Sequence, residues 1–318
     1  MRLDRWLRLH YPALPFSRLQ KLLRKGEVRL NGRRAKAAAR IGAGDIIRIP
    51  PLPQDMRGAH PARRPQPARA LSKEERQFFD SLILHEDADL LVINKPSGLA
   101  VQGGSRTLEH LDRYLAALEA DHGERPRLVH RLDRDTSGAL VIAKKRHVAA
   151  RLGKLFASRA VRKIYWAVVH GVPRPAQGRI GMALIKTMTR QGERVRPARH
   201  GDTKAQKAVT YYAVVDKAAP VAAWLSLKPV TGRQHQLRAH AAFIGHPILG
   251  DGKYEGLEGL PDGVEPRLHL HARRISFPHP SGGTLDITAP LPEHMERTFR
   301  LLGFDPGRYD DGMDDEDL

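Results

Sequence analysis

A proline-rich interruption after residue 50 constrains what this chain can fold into more than any other feature. Within residues 51–80, five prolines stand among Arg, Ala and Gln: Pro51, Pro53, Pro61, Pro65 and Pro67. Such a stretch can bury little apolar surface, so it predicts a flexible linker, whose second half can begin a short helix at Ser72. We therefore expect a small domain over residues 1–50, a large domain over 81–303 and an acidic, disordered tail over 304–318.

The first 50 residues predict a compact module of helix and hairpin. Ser17 can cap a helix over residues 18–24, and Gly26 ends it. Asn31-Gly32 is a strong signal for a two-residue hairpin turn, and residues 46–49 predict a further strand. Seven basic residues of this module are candidates for contact with a phosphate backbone: Arg18, Lys21, Arg24, Lys25, Arg29, Arg33 and Arg34. The alternative, a merely solvated surface, is weaker because only one acid opposes them.

The large domain mixes strand-like and helix-like segments. Apolar runs predict strands over residues 90–93, 139–143, 164–169, 209–215 and 223–227, and helices over residues 108–118 and 147–158. Because helices and strands do not alternate strictly, we expect the α+β class with a central mixed or antiparallel sheet.

The charge of the chain favours a polyanionic partner. Lys and Arg number 54 against 35 Asp and Glu, a net charge of +19. Six acids fall in the last nine residues, so the remainder carries +25. Nucleic acid is favoured over a membrane because the charge is spread through segments with folding patterns. A genome rich in G and C, which favours Arg, is the alternative explanation.

Several classes of protein are excluded by what the sequence lacks. There is no cysteine, which excludes disulfides, Cys-ligated zinc and thiol catalysis. The first residues have no apolar signal-peptide core, and no apolar run reaches the roughly 20 residues of a membrane helix. We therefore expect a cytoplasmic protein with no membrane partner.

The segment His130–Gly138 is the first candidate for chemistry, because it crowds charged and hydroxyl side chains just before an apolar strand. Asp133 lies between Arg131 and Arg134, which would keep its carboxylate ionised, as a nucleophile or base requires. Asp135 fits the same role. From spacing alone, a charged turn held by its own salt bridges is the simpler interpretation.

Two further segments carry candidate binding residues. Thr231–His240 opens a helix in which Arg238 falls one turn after His235. His235 and His240 lie about 140° apart around such a helix, which is poor geometry for a metal ion. Tyr165 lies in a strand and could stack on a base, although a half-buried strand tyrosine is the commoner case.

Another turn, Asn94–Ser105, contains Gly-Gly-Ser, which suits backbone contact with phosphate, although its spacing is not that of a P-loop.

Taken together and in this order, these segments resemble the RluA family of pseudouridine synthases. The resemblance rests on six segments: Asn94–Gly98, His130–Gly138, Lys163–Val169, Thr231–His240, Gly245–Asp251 and Leu268–Ala272. The N-terminal module resembles the S4 RNA-binding domain, and the hairpin segments together with residues 100–105 look most like the RluC branch, which acts on large-subunit ribosomal RNA.

The resemblance implies a pseudouridine synthase fold. It also implies an enzyme that isomerises uridines of 23S ribosomal RNA without cofactor or metal. It implies that Asp133 is catalytic, that Tyr165 lies against the flipped uracil, that Arg131 fills the vacated stack and that Arg238 is the basic partner of Asp133. We expect a monomer that binds RNA, free or in an assembling large subunit. Two alternatives stay open: a non-catalytic RNA-binding or ribosome-assembly factor on the same fold, and a hydrolase using Asp133 with Asp135.

Overall fold

The computed structural model describes residues 1–11, 14–52, 71–101, 110–119, 123–189 and 192–309. The chain divides into two compact units, Met1–Arg69 and Ala70–Leu318. Most of the predicted linker, residues 53–70, and the acidic end of the predicted tail, residues 310–318, lie outside the described residues. Within the described parts, no helix is long and apolar enough to cross a membrane.

The described residues of the N-terminal unit form two helices and three short strands: α1 (Leu3–His10), α2 (Phe16–Lys25), β1 (Arg29–Leu30), β2 (Arg33–Arg34) and β3 (Ile47–Arg48). The expected cap at Ser17 is wrong: α2 begins at Phe16 after Pro15, and no side chain caps it. Gly26 ends α2 in the left-handed conformation, as predicted. Strand β1 is central and pairs with both β2 and β3.

The predicted Asn31-Gly32 hairpin is confirmed. Both residues have positive φ, 50° and 78°, which matches the twist of the flanking strands. Leu3, Leu7, Leu19, Leu22 and Leu23 pack beneath this hairpin in a separate small core.

The larger unit is built on a mixed sheet. Its strands are β4 (Ile83–Glu86), β5 (Leu90–Lys95), β6 (Arg127–Leu128), β7 (Ser137–Ala143), β8 (Arg162–His170), β9 (Gln177–Thr189), β10 (Gly192–Pro197), β11 (Gln206–Ala218), β12 (Ala222–Pro229), β13 (Leu270–Pro278) and β14 (Thr284–Thr288). The helices that the described residues show in full are α3 (Lys73–Ser81), α4 (Leu111–Ala117), α5 (Arg146–Ser158), α6 (Gln236–Phe243) and α7 (Glu293–Leu302). The described strands run β10-β9-β11-β12-β8-β13-β7-β5-β4, with β14 paired to β13 and β6 to β7. All these pairs are antiparallel except β7 with β13, so the expected α+β class with a mixed sheet is confirmed.

Both boundaries of the larger unit lie outside the predicted range of 81–303. At its start, Ser72 caps α3 in a reciprocal capping box with Glu75, and Phe79 of α3 is buried in the core. At its end, Phe304 is buried and a short 3-10 helix spans Pro306–Tyr309. Residues 304–309 therefore belong to the fold and not to the expected tail.

Strand β8 places its aromatic side chains on opposite faces of the sheet. Tyr165 packs against a core cluster that includes Leu237 and Ala241 of α6. Trp166 packs on the other face with Trp224 and with Phe299 of α7. The face that carries Tyr165 and α6 is the one on which the candidate residues meet.

Candidate active site

A cavity of about 730 Å³ brings together candidate residues that are far apart in the sequence. Asp133, Arg131, Tyr165 and Arg238 all line it. Its lining has eight Lys or Arg side chains and one carboxylate, that of Asp133. The basic residues are Arg131, Arg159, Arg162, Lys163, Lys186, Lys228, Arg233 and Arg238. The cavity is thus suited to a polyanionic ligand whose reacting part meets one acid.

Asp133 lies in the loop between β6 and β7, which we call the Asp133 loop (residues 129–136). Leu132 anchors this loop by burying its side chain in the core beside Leu140. The turn after β5 holds it from below: Ser97 Oγ donates to the Asp135 carbonyl at 2.8 Å, and the Gly98 N–H donates to the Arg134 carbonyl at 2.9 Å. The loop is therefore held on both sides of Asp133, at Leu132 and at residues 134 and 135.

Lys95, at the end of β5, is a further support that sequence reasoning did not identify. Its ammonium group is fully buried and donates to the carbonyls of Pro96, Leu99 and Arg134, at 2.8, 3.0 and 2.9 Å. Burial lowers the pKa of Lys95 to about 7, against the opposing effect of the nearby aspartates. The sequence had suggested a phosphate contact for the Gly-Gly-Ser of Asn94–Ser105 and no role for Lys95, and residues 102–105 of that segment lie outside the described residues.

The two arginines that flank Asp133 in the sequence do not pair with it. Arg134 turns away and forms an ion pair with Asp135 at 2.8 Å. Arg131 is exposed, lines the cavity and has no hydrogen bond or ion pair within the described residues. The direct pairing of Asp133 with its two neighbours, which that expectation assumed, is therefore absent from the described residues. Among the described residues, the arginine that lies within 4 Å of Asp133 is Arg238 of α6.

Arg238 approaches Asp133 but its main partner is Asp251. Its Nε and Nη2 donate to the two carboxylate oxygens of Asp251 at 2.7 and 2.6 Å, and both side chains are buried. The remaining nitrogen, Nη1, lies 3.9 Å from Asp133 Oδ2. Such a two-point contact fixes the plane of a guanidinium, so Asp251 aims Arg238 at Asp133. Burial opposes the charge of Arg238, but the bonds to Asp251 outweigh it and raise the pKa of Arg238.

His235 is the second group near the carboxylate. Its Nε2 lies 4.0 Å from Asp133 Oδ2, and its Nδ1 lies 3.1 Å from the Tyr254 hydroxyl. The sequence had raised His235 only as a possible metal ligand with His240. His240 instead bonds Thr210, and no group of three His, Asp or Glu side chains in the described residues is placed to hold a metal ion.

Tyr165 and His130 keep neutral side chains near the Asp133 loop. Burial, and next the charge of Asp133, raises the pKa of Tyr165. His130 accepts a hydrogen bond from the Val141 N–H at 2.9 Å and stacks on Phe156, and burial lowers its pKa to about 3. His130 therefore supports the loop, while Tyr165 presents an uncharged ring to the cavity.

The seven candidate residues of the N-terminal unit are all exposed, but three of them already have a hydrogen-bond or ion-pair partner. Arg34 donates to the Arg24 carbonyl at the end of α2, Arg29 donates weakly to Gly32, and Lys25 lies 3.8 Å from Glu27. Arg18, Lys21 and Arg24 lie along α2 with exposed side chains and no side-chain bond within the described residues. These three form the clearest basic surface of the unit.

Comparison with known proteins places these features in a family. Residues 89–243 match the model described as RNA pseudouridylate synthase, and residues 1–47 match the S4 domain. Ribosomal large subunit pseudouridine synthase C of Vibrio cholerae is 38% identical, over 95% of this chain and 93% of that protein. The protein of the same name from Escherichia coli K12 is 36% identical, over 95% and 92%.

Two solved structures agree with the sequence matches. Human RNA pseudouridylate synthase domain containing 4 superposes with a TM-score of 0.61 at 31% identity, covering 72% of this chain and 95% of that one. Human RNA pseudouridylate synthase domain containing 1, at 24% identity and a TM-score of 0.53, covers 70% and 95% and shares the fold.

Proposed function

The chain belongs to the RluA family of pseudouridine synthases and carries an S4 domain, and from this premise we propose that it converts specific uridines of large-subunit ribosomal RNA to pseudouridine. The observation that carries the proposal is the cavity in which Asp133, Tyr165 and Arg238 meet under a rim of basic side chains. The names of the two bacterial relatives support ribosomal RNA as the substrate.

In the proposed reaction the uridine leaves its stack and enters the cavity, at a cost of about a few kcal/mol. The bond from C1′ to N1 breaks, the base turns, and C5 bonds to C1′; C5 then loses its proton and N1 gains one. Asp133 assists at the sugar, and attack on C1′ and assisted elimination both require its carboxylate there. Tyr165 lies flat against the uracil, and its raised pKa keeps the ring neutral.

Arg131 is proposed to enter the gap that the flipped uridine leaves. Its exposed side chain at the cavity mouth and the absence of an ion pair within the described residues support this role. Arg238 is proposed to hold the Asp133 carboxylate. It does so as a side chain that is already fixed by its two hydrogen bonds to Asp251, and not as a simple ion-pair partner of Asp133.

The hydrolase alternative is disfavoured by the partner of Asp135. A pair of carboxylates for acid and base work must face the same substrate. Asp135 is bound to Arg134 and does not line the cavity, so a single carboxylate faces that space. The non-catalytic alternative lacks a specific observation in its favour, since Asp133, Tyr165 and Arg238 all line one site.

The S4 unit is proposed to dock a monomer of the enzyme on structured RNA in the cytoplasm, through Arg18, Lys21 and Arg24. Replacing all three by Gln in the full chain should weaken RNA binding and flatten its dependence on salt, by up to about 0.9 in log–log slope for each phosphate that is no longer neutralised. The matched control replaces the exposed residues Lys73, Lys217 and Arg300 of the larger unit. Equal effects of the two triple changes would contradict docking through α2.

The function itself is tested by mapping pseudouridine in large-subunit ribosomal RNA from cells that lack the gene. Specific sites should be lost, restored by the wild-type gene and not by Asp133→Asn. An unchanged map in the deleted strain would contradict the proposal. Restoration by Asp133→Asn would move the catalytic role to another residue.

A further inference from the structure

His235 occupies an unusual backbone position at the edge of the cavity. It precedes α6 with φ 49° and ψ 22°, in the left-handed region that residues with a side chain rarely adopt. Such a conformation persists only where the surrounding structure holds it, and it is found most often at functional sites. The side chain of His235 is 7% exposed, so its ring nitrogens must find their hydrogen-bond partners mainly within the protein.

The Tyr254 hydroxyl fixes one nitrogen of that ring. The backbone N–H of Val195 donates to Tyr254 Oη at 2.9 Å, which uses one lone pair of this oxygen. Its proton then needs an acceptor, and His235 Nδ1 at 3.1 Å is the acceptor that the described residues provide. An Nδ1–H tautomer would instead point a second donor at the same oxygen and leave the buried hydroxyl proton without a partner.

The other nitrogen, Nε2, faces Asp133. It lies 4.0 Å from Oδ2, the same oxygen that Arg238 Nη1 approaches at 3.9 Å. Two donors therefore converge on one oxygen of the carboxylate and leave Oδ1 to act on the substrate. Hydrogen bonds in free enzymes are often long and tighten when substrate binds, and here a shift of about 1 Å would bring both into range.

We propose that Tyr254 holds His235 as the neutral Nε2–H tautomer, so that His235 donates to Asp133 Oδ2 and, with Arg238, orients the carboxylate. This proposal rests on the function proposed above. His235 is a positioning residue in it, because it acts through Asp133.

The charges around His235 agree with a neutral ring. Burial lowers its pKa; Asp133 opposes this shift, Arg238 and Lys253 add to it, and Asp251 opposes it again. Glu193 is a further acid nearby, and its carboxylate is bonded to Lys186 and to Gln234. The ring consequently stays uncharged at neutral pH, where it offers an N–H without adding a cation.

The tautomer is tested directly by nitrogen NMR of the full-length protein with ¹⁵N-labelled histidine at pH 7.5. The signals of His235 are assigned as those that disappear in His235→Gln. We expect a neutral ring with the proton on Nε2 in the wild type and a mixture of tautomers in Tyr254→Phe. A proton on Nδ1, or a doubly protonated ring, in the wild type would overturn the proposal. This measurement does not depend on activity, so it can overturn the tautomer proposal whether or not the proposed function is correct.

Kinetics on ribosomal RNA test the consequence. Tyr254→Phe keeps the ring that packs against Arg194 and Arg238, yet should lower kcat about tenfold with KM changed less than twofold. His235→Gln, which retains an N–H donor, should keep more activity than His235→Leu, which has none. Tyr211→Phe, whose hydroxyl has no hydrogen bond within the described residues, is the matched control. A Tyr254→Phe enzyme as active as that control, beside an active wild type, would overturn the positioning role.

Discussion

Arg238 shows how one buried side chain can serve both the fold and the site. Two of its nitrogens bind Asp251, and the third is left pointing at Asp133. Asp251 in turn accepts from the backbone N–H groups of Lys253 and Tyr254, at 2.9 and 3.1 Å. The carboxylate is thereby fixed before it fixes the arginine.

The first prediction concerns Asp251→Asn, which keeps the shape of the side chain and removes its charge. The buried guanidinium of Arg238 would lose its two-point counter-ion and keep only the more distant carboxylate of Asp133, so the free energy of unfolding should fall by about 3 kcal/mol. Urea unfolding measures the loss. Asp202→Asn is the control, because Asp202 pairs with Arg196 at the surface and its loss should matter much less. Similar losses for both variants would show that Asp251 does not support Arg238.

At this scale the sequence predicted which residues meet but not how they are held. Asp133, Tyr165 and Arg238 could be named because their segments, taken together, resemble one family. Taken singly, the segments of Asp133 and Tyr165 favoured simpler interpretations. Asp251 could not be linked to Arg238 from the sequence, because a separation of 13 residues matches no local periodicity that would predict their contact. The expected pairing of Asp133 with its neighbouring arginines failed for a related reason. The direction of a side chain in a loop depends on the backbone of the turn, and Arg134 points at Asp135.

Among the elements, the parallel pair of β7 and β13 sets the position of the Asp133 loop. Ser137, which follows the loop, lies opposite His271, and Gly138 lies opposite Ala272. Gly138 has φ 110°, and a Cβ there would lie 2.3 Å from the Ala272 carbonyl oxygen. Only glycine lets the two backbones approach so closely.

The second prediction follows from this close approach. Gly138→Ala should lower the free energy of unfolding by at least about 3 kcal/mol, because the strands must separate. Gly153→Ala is the control: Gly153 lies on the exposed side of α5 with nothing within 4 Å of an added Cβ. That change should raise stability by about 0.5–1 kcal/mol. Thermal or urea unfolding of both variants measures these changes. An unchanged free energy of unfolding for Gly138→Ala would contradict the close approach of the two strands.

Elements that depend on local chemistry were predictable, whereas pairings between distant segments were not. The Asn31-Gly32 turn and the end of α2 at Gly26 were both predicted from the sequence. The start of α2 was not, because Pro15 can precede a helix as readily as Ser17 can cap one. The pairing of β7 with β13 joins segments more than 130 residues apart, and no local pattern carries that information.

For the whole molecule, buried histidines couple stability to pH. His240, His269 and His271 have no exposed surface, and burial lowers their pKa values to about 4, 4 and 3. In the unfolded chain a histidine binds a proton below about pH 6.5. Between that pH and the lower folded values the unfolded state therefore holds more protons, and stability falls as the pH falls.

The third prediction is a loss of stability between pH 6.5 and pH 4, of up to about 1.4 kcal/mol per pH unit for each buried histidine. Urea unfolding at a series of pH values measures it. His271→Gln should reduce the slope, and His147→Gln, at an exposed position of α5, should not. A stability that stays flat down to pH 4.5 would contradict neutral, buried histidines.

The two compact units meet in sequence at residues 69 and 70, within the stretch where the prolines predict a linker, and the excess of basic residues predicts a polyanionic partner. The exact borders were not readable, because Phe79 and Phe304 join the core only through contacts that form in three dimensions. The charge pattern could not say where the basic residues gather either. In the fold, eight of them line the cavity around Asp133.

The central claim is that this cavity isomerises uridine through Asp133. The most direct measurement is release of tritium from ribosomal RNA labelled at C5 of uridine, with purified wild-type protein, Asp133→Asn and Asp135→Asn. We predict release with the wild type, none with Asp133→Asn despite normal folding and RNA binding, and release with Asp135→Asn. Tritium release by Asp133→Asn at the wild-type rate would contradict the account.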